Sequence, residues 1–368
     1  MTRVVLAPDS FKGTITAADA ARALAEGWAA VEPGAEFVHR PMADGGEGTV
    51  AAFEAAVAGS LRMPVTVDGP AGVPVEASWL LLPPTDHAPR GTAVVDLGST
   101  SGIELLDELR PWDADTFGFG QAIAAALDHG VSRLVLGLGS SASTDGGTGM
   151  LAALGARFLD AAGTSVVRGA RGLERIATVD LSALRSAPPV RVLTDVTNPL
   201  TGPRGAAAVF GPQKGLVAEA DVVRLDAGLD RLAALLGLDA ALPGSGAAGG
   251  TGGALVVWGG VLAPGAAEVA ELIGLAAAIA DADVVITGEG SYDGQSGDGK
   301  VPSFLASLTA DAGARAMLAA GRITADSDTS LFAASASLTE LAGSSAAALA
   351  EPAQWLRAAG AALARAAG

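Results

Sequence analysis

Val4-Val5-Leu6-Ala7-Pro8-Asp9-Ser10-Phe11-Lys12-Gly13, followed by Thr16-Ala17-Ala18-Asp19, sets the reading of the fold. A short apolar run that stops at Pro8 predicts a buried strand over residues 4–7. Thr16 with an acid three residues on has the form of a capping box and predicts a helix running to about Val31. Strand, glycine-dotted loop and helix, in that order, is the unit from which parallel sheets are built. The same texture recurs along the chain. Apolar runs predict strands over residues 37–40, 93–97, 134–137, 190–194, 284–287, 316–320 and 331–334. Helical stretches are expected from Thr49 and over 117–129, 219–236, 266–280 and 355–366.

Residues 61–82 differ, with alternating Val, Pro and Thr, a Gly69-Pro70 turn and no helical period, so they read as antiparallel strands or a linker. A boundary there and another near Asp281 leave two early and three late strands to pair in one sheet. The expected fold class is therefore α/β with two domains. A discontinuous flavodoxin-like parallel-sheet domain takes residues 1–65 and 282–368, and a second α/β domain, residues 66–281, is inserted into it. The active-site cleft is expected between them, and two sequential domains are the alternative. In such folds ligands sit at the carboxyl ends of strands, where the informative loops begin.

The chain has 368 residues, 50% of them hydrophobic and 17% charged, which suits about two globular domains. Mean hydropathy is +0.41, but alanine and glycine inflate it. No apolar run reaches the ~20 residues of a spanning helix, so no membrane partner is expected. The amino terminus lacks the pattern of a secretory signal, which makes a cytoplasmic location the expectation. With no cysteine there is no disulfide, thiolate nucleophile or Cys-ligated zinc. His39, His87 and His129 are too scattered to suggest a metal site. A formal net charge of -17 argues against nucleic acid, whose phosphates need basic partners. Small anions require the field to be reversed locally, by lysine, backbone N–H groups or a divalent cation.

Only three lysines occur, Lys12, Lys214 and Lys300, each in a glycine-containing loop; all other basic residues besides histidine are arginine. An ammonium is a compact, movable point charge that suits phosphate. The single asparagine, Asn198, and single tyrosine, Tyr292, lie in similar loops. Lys12 precedes a helix N-terminus, although an ordinary strand-to-helix turn is also spelled this way. In Asp44-Gly45-Gly46-Glu47 two carboxylates flank a glycine pair, fit to hold Mg²⁺, to orient a hydroxyl, or simply to form a solvated turn. Gly137-Leu138-Gly139-Ser140-Ser141-Ala142 matches Gly-x-Gly-x-x-Ala, with Asp160 as a later acid, and so allows a dinucleotide-dependent oxidoreductase as a rival reading. The hydroxyl-rich run continuing to Asp145-Gly146-Gly147 looks more like a nest for nucleotide phosphates. Asp195 follows a strand with Asn198 and Lys214 close behind, and an aspartate so placed can accept a hydroxyl proton or bind a metal. Gly294 to Lys300 spells Gly-x-x-x-x-Gly-Lys, but Val301 replaces the Ser/Thr of a P-loop.

Five segments, in this order, resemble the type 1 glycerate kinase family. They are Ala7-Pro8-Asp9-Ser10-Phe11-Lys12-Gly13, Asp44-Gly45-Gly46-Glu47-Gly48-Thr49 and Ser143-Thr144-Asp145-Gly146-Gly147-Thr148-Gly149-Met150. Next come Asp195-Val196-Thr197-Asn198-Pro199-Leu200 with Phe210-Gly211-Pro212-Gln213-Lys214-Gly215, and Gly288-Glu289-Gly290-Ser291-Tyr292-Asp293 with Gln295, Lys300 and Pro302. The resemblance implies transfer of the ATP γ-phosphoryl group to D-glycerate with Mg²⁺, giving 2-phosphoglycerate in preference to 3-phosphoglycerate, in a two-domain α/β protein. It leaves a homo-oligomer open. From the chemistry of these loops, Lys12, Lys214 and Lys300 are expected to contact the glycerate carboxylate and the phosphates. The loop from Ser140 and Ser141 to Asp145, Gly146 and Gly147 cradles the nucleotide. Asp195 takes the hydroxyl proton, with Asp293 second, and Asp44 and Glu47 hold Mg²⁺ through water. Ser10, Gly45, Gly46, Asn198, Glu289 and Gln295 complete the binding set. Two departures stand out: Ser143-Thr144-Asp145 where many members read Thr-Asn-Asp, and Ser291 where arginine is common. A non-catalytic binding module for phosphorylated metabolites is the second rival, since it uses the same loops.

Overall fold

The structure is a computed structural model that describes residues 1–11, 13–46, 48–293 and 301–368. The expectations placed on Lys12, Glu47, Gln295 and Lys300 lie outside the described residues. Along the chain the strands are β1 (Arg3–Leu6), β2 (Glu36–His39), β3 (Leu61–Asp68), β4 (Pro74–Leu82), β5 (Thr92–Asp96), β6 (Arg133–Gly137) and β7 (Arg157–Leu159). They continue with β8 (Thr178–Asp180), β9 (Val190–Leu193), β10 (Gly260–Ala263), β11 (Val284–Tyr292), β12 (Arg315–Ile323) and β13 (Ala334–Ser337). Two units result: Met1–Asp44, Ala51–Ala58 and Pro264–Gly368 form the first, Gly45–Val50 and Gly59–Ala263 the second.

The unit limits differ from those set by sequence texture. β3 goes with the second unit because it pairs with β4 along its whole length, from Leu61 to Asp68. The stretch expected as one helix over 266–280 is two, Gly265–Leu272 and Leu275–Ala280, broken at Gly274 with φ +67°. Both fall in the first unit, where Gly265–Leu272 packs on the helix Val301–Asp311.

In the first unit the strand order is β13-β12-β11-β1-β2, with every pairing parallel. Counted within the unit, this is the 2-1-3-4-5 order of flavodoxin-like sheets, whose direction of winding reverses between β1 and β11. Val4, Leu6, Val284, Ile286, Met317 and Ala319 face the helices Ala17–Ala29 and Pro352–Ala367 on one side of the sheet. Leu318, Ala316 and Ala320 pack with Ala306 of the helix Val301–Asp311 on the other. Burial on both faces explains why these strands read as continuous apolar runs. The last strand lies at Ala334–Ser337 and not at 331–334. Leu331 is exposed and Phe332 leaves the strand path to pack edge-on against Tyr292, while serine-bearing residues form the sheet edge.

Thr16 caps its helix as its spacing predicts, its Oγ1 accepting from the Asp19 N–H at 3.1 Å. That helix and Pro352–Ala367 touch backbone to backbone. A Cβ at Gly360 would lie 2.2 Å from the Leu24 carbonyl oxygen, and one at Gly27 2.0 Å from that of Arg357. Gly360→Ala, which helix propensity alone would make stabilising by about 1 kcal/mol, is therefore expected to destabilise the protein by about 1–3 kcal/mol through overpacking. A urea midpoint that falls with an unchanged m-value is the expected result; a rise would show that the helices separate freely.

The second unit contains a six-stranded mixed sheet, β10-β9-β6-β5-β4-β3. β5, β6, β9 and β10 run parallel, whereas β3 and β4 form the antiparallel hairpin admitted as one reading of residues 61–82. A small antiparallel pair, β7 with β8, has no apolar run long enough to announce it. The core joins the sheet to Phe119, Ile123, Leu229 and Leu232 of the helices Phe117–His129 and Glu219–Leu236.

Candidate active site

In the first unit, loops at the carboxyl ends of β1 and β11 enclose a cavity of about 510 Å³, at the point where the winding of the sheet reverses. Asp9, Ser10, Phe11 and Thr14 reach it from the loop after β1, Asp44 from the loop after β2, Glu289 and Ser291 from β11, Asp293 from just beyond β11, and Arg322 from β12. Parallel pairing runs on past Leu6, with the Asp9 N–H donating to the Gly288 carbonyl at 2.8 Å, and so fixes the first loop. The Met42 N–H donates to the Pro8 carbonyl at 2.9 Å and brings the Asp44 loop alongside. The structure thus gathers Ser10, Asp44, Glu289 and Asp293. Leu338, Ala348, Leu349 and Pro352 supply an apolar wall. Tyr292, in contrast, is buried, and its hydroxyl donates to the Asp328 carbonyl at 3.0 Å, so its conspicuous position anchors the end of β11.

In the second unit a cavity of about 340 Å³ lies at the ends of β6 and β9, bordered by Gly139, Ser140, Ser141, Val196, Phe210, Gln213 and Lys214. Ser140 and Ala248, both on its wall, adopt left-handed backbone conformations with φ of +57° and +50°. Neither is glycine. Such conformations are costly for residues with a Cβ and concentrate at ligand sites. Gly45 lies next to this loop, its carbonyl accepting from the Gly139 N–H at 3.3 Å. Gly46 follows it as the start of the turn into the helix Thr49–Ala56, its carbonyl accepting from Thr49 Oγ1 at 2.7 Å.

Lys214 is buried at 3% exposure, and its Nζ donates to the Ser143 carbonyl and, at 3.3 Å, to Ser141 Oγ. Burial pushes its pKa down to about 8, with the Asp145 carboxylate pulling the other way. Asp145 itself is wholly buried behind the cavity wall. Its Oδ2 accepts from the Thr116 N–H (3.1 Å), Thr116 Oγ1 (2.8 Å) and the Gly149 N–H (3.0 Å). Its Oδ1 accepts from the Gly147 N–H (3.1 Å) and Ser143 Oγ (3.3 Å). Gly146 and Gly147 sit with it, away from the cavity lining, and Gly147 opens the helix Thr148–Ala153. Beside them burial, and then the charge of Asp145, raise Asp115 to about 6, against the pull of the Phe117 N–H and of Arg168, whose Nε is 3.1 Å away.

Asp195 stands exposed just beyond β9. Asn198 donates from Nδ2 to the Arg204 carbonyl at 2.8 Å and so closes its own loop. The Gly-x-Gly-x-x-Ala match is not followed by a helix until Thr148, whereas a dinucleotide turn opens a helix directly. Asp160 accepts from the N–H groups of Ala162 and Thr164 in a local turn. Arg322 is the residue that sequence reasoning missed; no local signal marks it, since it is strand register that sets it opposite Ser291.

A family profile described as the glycerate kinase family matches residues 4–368. The chain is 40% identical over 337 residues to the glycerate kinase of Bacillus subtilis (strain 168), covering 89% of this chain and 86% of that protein. It is also 40% identical over 317 residues to the glycerate 2-kinase of Escherichia coli (strain K12), covering 83% and 81%. The crystal structure of a Salmonella typhimurium LT2 protein assigned as a glycerate kinase 2 superposes with a TM-score of 0.85 at 38% identity, covering 99% of this chain and 97% of the other. With the ordered loops and the flavodoxin-like sheet in place, the match along the chain leaves a plain conclusion: this protein belongs to the glycerate kinase family and is an enzyme of that family.

Proposed function

We propose that the enzyme transfers the γ-phosphoryl group of ATP to a hydroxyl of D-glycerate, releasing 2-phosphoglycerate and ADP. The observation that carries this reading is Lys214, an ammonium buried against the strained Ser140–Ser141 turn at a cavity edge, in a chain of the glycerate kinase family. Two of its three N–H groups have protein acceptors, which holds the charge in place for phosphate oxygens. Phosphoryl transfer passes through a loose transition state, so alignment and neutralisation of charge are the protein's work. The name of the Escherichia coli relative supports O2 as the acceptor.

Among the described residues no group of three or more carboxylate or imidazole side chains is assembled for a metal. Mg²⁺ keeps several waters and takes one or two carboxylates plus phosphate oxygens, so the acid-lined cavity fits it. Asp44 is the described residue proposed to hold it, and when bound it would neutralise charge on the transferring group. Asp195 is proposed to accept the hydroxyl proton, with Asp293 second.

A coupled ADP-release assay with D-glycerate and ATP, with the product identified by phosphorus NMR, tests the reading. Ligand affinity without turnover would favour a binding module, and a 3-phosphoglycerate signal would move the acceptor to O3. No helix among the described residues is long and apolar enough to cross a membrane.

The lowered pKa of Lys214 has two consequences of known sign. Between about 8 and 10.5 the unfolded chain holds more protons at this lysine than the folded one, so its contribution to stability rises with pH across that window. Phosphate binding selects the ammonium, so ADP affinity is expected to fall as pH rises through about 8, by up to about tenfold per unit. Calorimetric titration of ADP from pH 7 to 9.5 with wild type and Lys214→Met reads this. The slope should vanish in the variant, and a flat wild-type profile would take Lys214 out of phosphate binding.

A further inference from the structure

We propose that Arg322 recognises the carboxylate of the acceptor substrate in the cavity of the first unit, an assignment that rests on the reading of the protein as a glycerate kinase. Arg322 and Ser291 are register partners on β12 and β11, and both line the cavity. The guanidinium reaches across the pair, Nη2 donating to Ser291 Oγ at 3.3 Å. The preceding residue fixes its position. A Cβ at Gly321 would lie 2.4 Å from the Gly290 carbonyl oxygen, so the two strands lie closer there than any side chain permits.

The charge balance makes the assignment specific. The carboxylates on this wall are Asp9, Asp44, Glu289 and Asp293, a field that repels an organic acid. Among the described residues lining the cavity, Arg322 is the single cation. Its bond to Ser291 uses one of five N–H groups, and the planar fork that remains matches a carboxylate with two parallel hydrogen bonds. The guanidinium reaches Ser291 from the neighbouring strand, so the two side chains occupy one corner of the cavity.

Initial-rate kinetics on the full chain test this, varying D-glycerate at saturating ATP and the reverse. Arg322→Gln should raise the KM for D-glycerate about 10- to 100-fold, the range for losing a hydrogen bond to a charged group. The KM for ATP should stay within about twofold by the same reasoning. Arg322→Lys should recover only part, for want of the fork. The exchange Ser291→Arg with Arg322→Ser should bring the KM back to near the wild-type value, which a merely structural role would not do. An unchanged KM for D-glycerate in Arg322→Gln, or a rise confined to ATP, overturns the assignment. If wild type releases no ADP with D-glycerate, the kinase reading fails separately, and calorimetric binding of D-glycerate to wild type and Arg322→Gln still decides whether the contact exists.

Discussion

Asp195→Asn is expected to lower kcat roughly 10²- to 10⁴-fold, the usual contribution of a positioned general base, while ATP affinity stays within a few-fold. The substitution is nearly isosteric and the site lies exposed beyond β9, so the core beneath is untouched. On the proposed mechanism what changes is proton acceptance, since an amide could not take the proton that a glycerate hydroxyl would shed on attacking phosphorus. Single-turnover rates and an ATP binding isotherm on the same preparation separate the two effects. Turnover within a few-fold of wild type would remove the role, and Asp293, on the wall of the first-unit cavity, would be the next residue to test.

The second large effect is on stability. Asp145→Ala is expected to destabilise the protein by about 3–5 kcal/mol, because it strands buried donors that each cost about 1–3 kcal/mol when unsatisfied. Thr116, Ser143, Gly147 and Gly149 all aim donors at this carboxylate, so its loss releases the start of two helices and the turn between them. Asp145→Asn should be little better, as an amide NH₂ would face N–H groups. Chemical denaturation measures the loss, and a change below about 1 kcal/mol would mean that water replaces the carboxylate at little cost. The same variant removes the one charge that supports the Lys214 ammonium, so the pH at which ADP affinity falls should move lower.

Much of the architecture was legible because it is local. The run Val4-Val5-Leu6 and the cap at Thr16 specify a buried strand and a helix start within a few residues, and both form as spelled. The flavodoxin-like order followed from two early and three late apolar runs. Side-chain direction is different. Ser143, Thr144 and Asp145 spell a hydroxyl-rich nest, yet the chain turns these three inward, leaving Ser140 and Ser141 at the cavity wall. Whether a serine in such a loop faces a ligand or a neighbouring amide depends on partners about 30 residues away, as Thr116 is from Asp145, and no short window contains that information. Arg322 was illegible for a related reason. An arginine among twenty looks like ordinary surface charge until strand register sets it opposite Ser291.

The pairing of β1 with β11 also governs how the protein is made. Val4 meets Val284, so the amino-terminal strand leaves the ribosome with no central partner until about 280 further residues have been translated, some 14–56 seconds at 5–20 residues per second. The second unit emerges almost whole in that interval. An apolar strand kept waiting that long is open to chaperones and to other nascent chains, and a premature stop before β11 would release a product whose first unit has no centre.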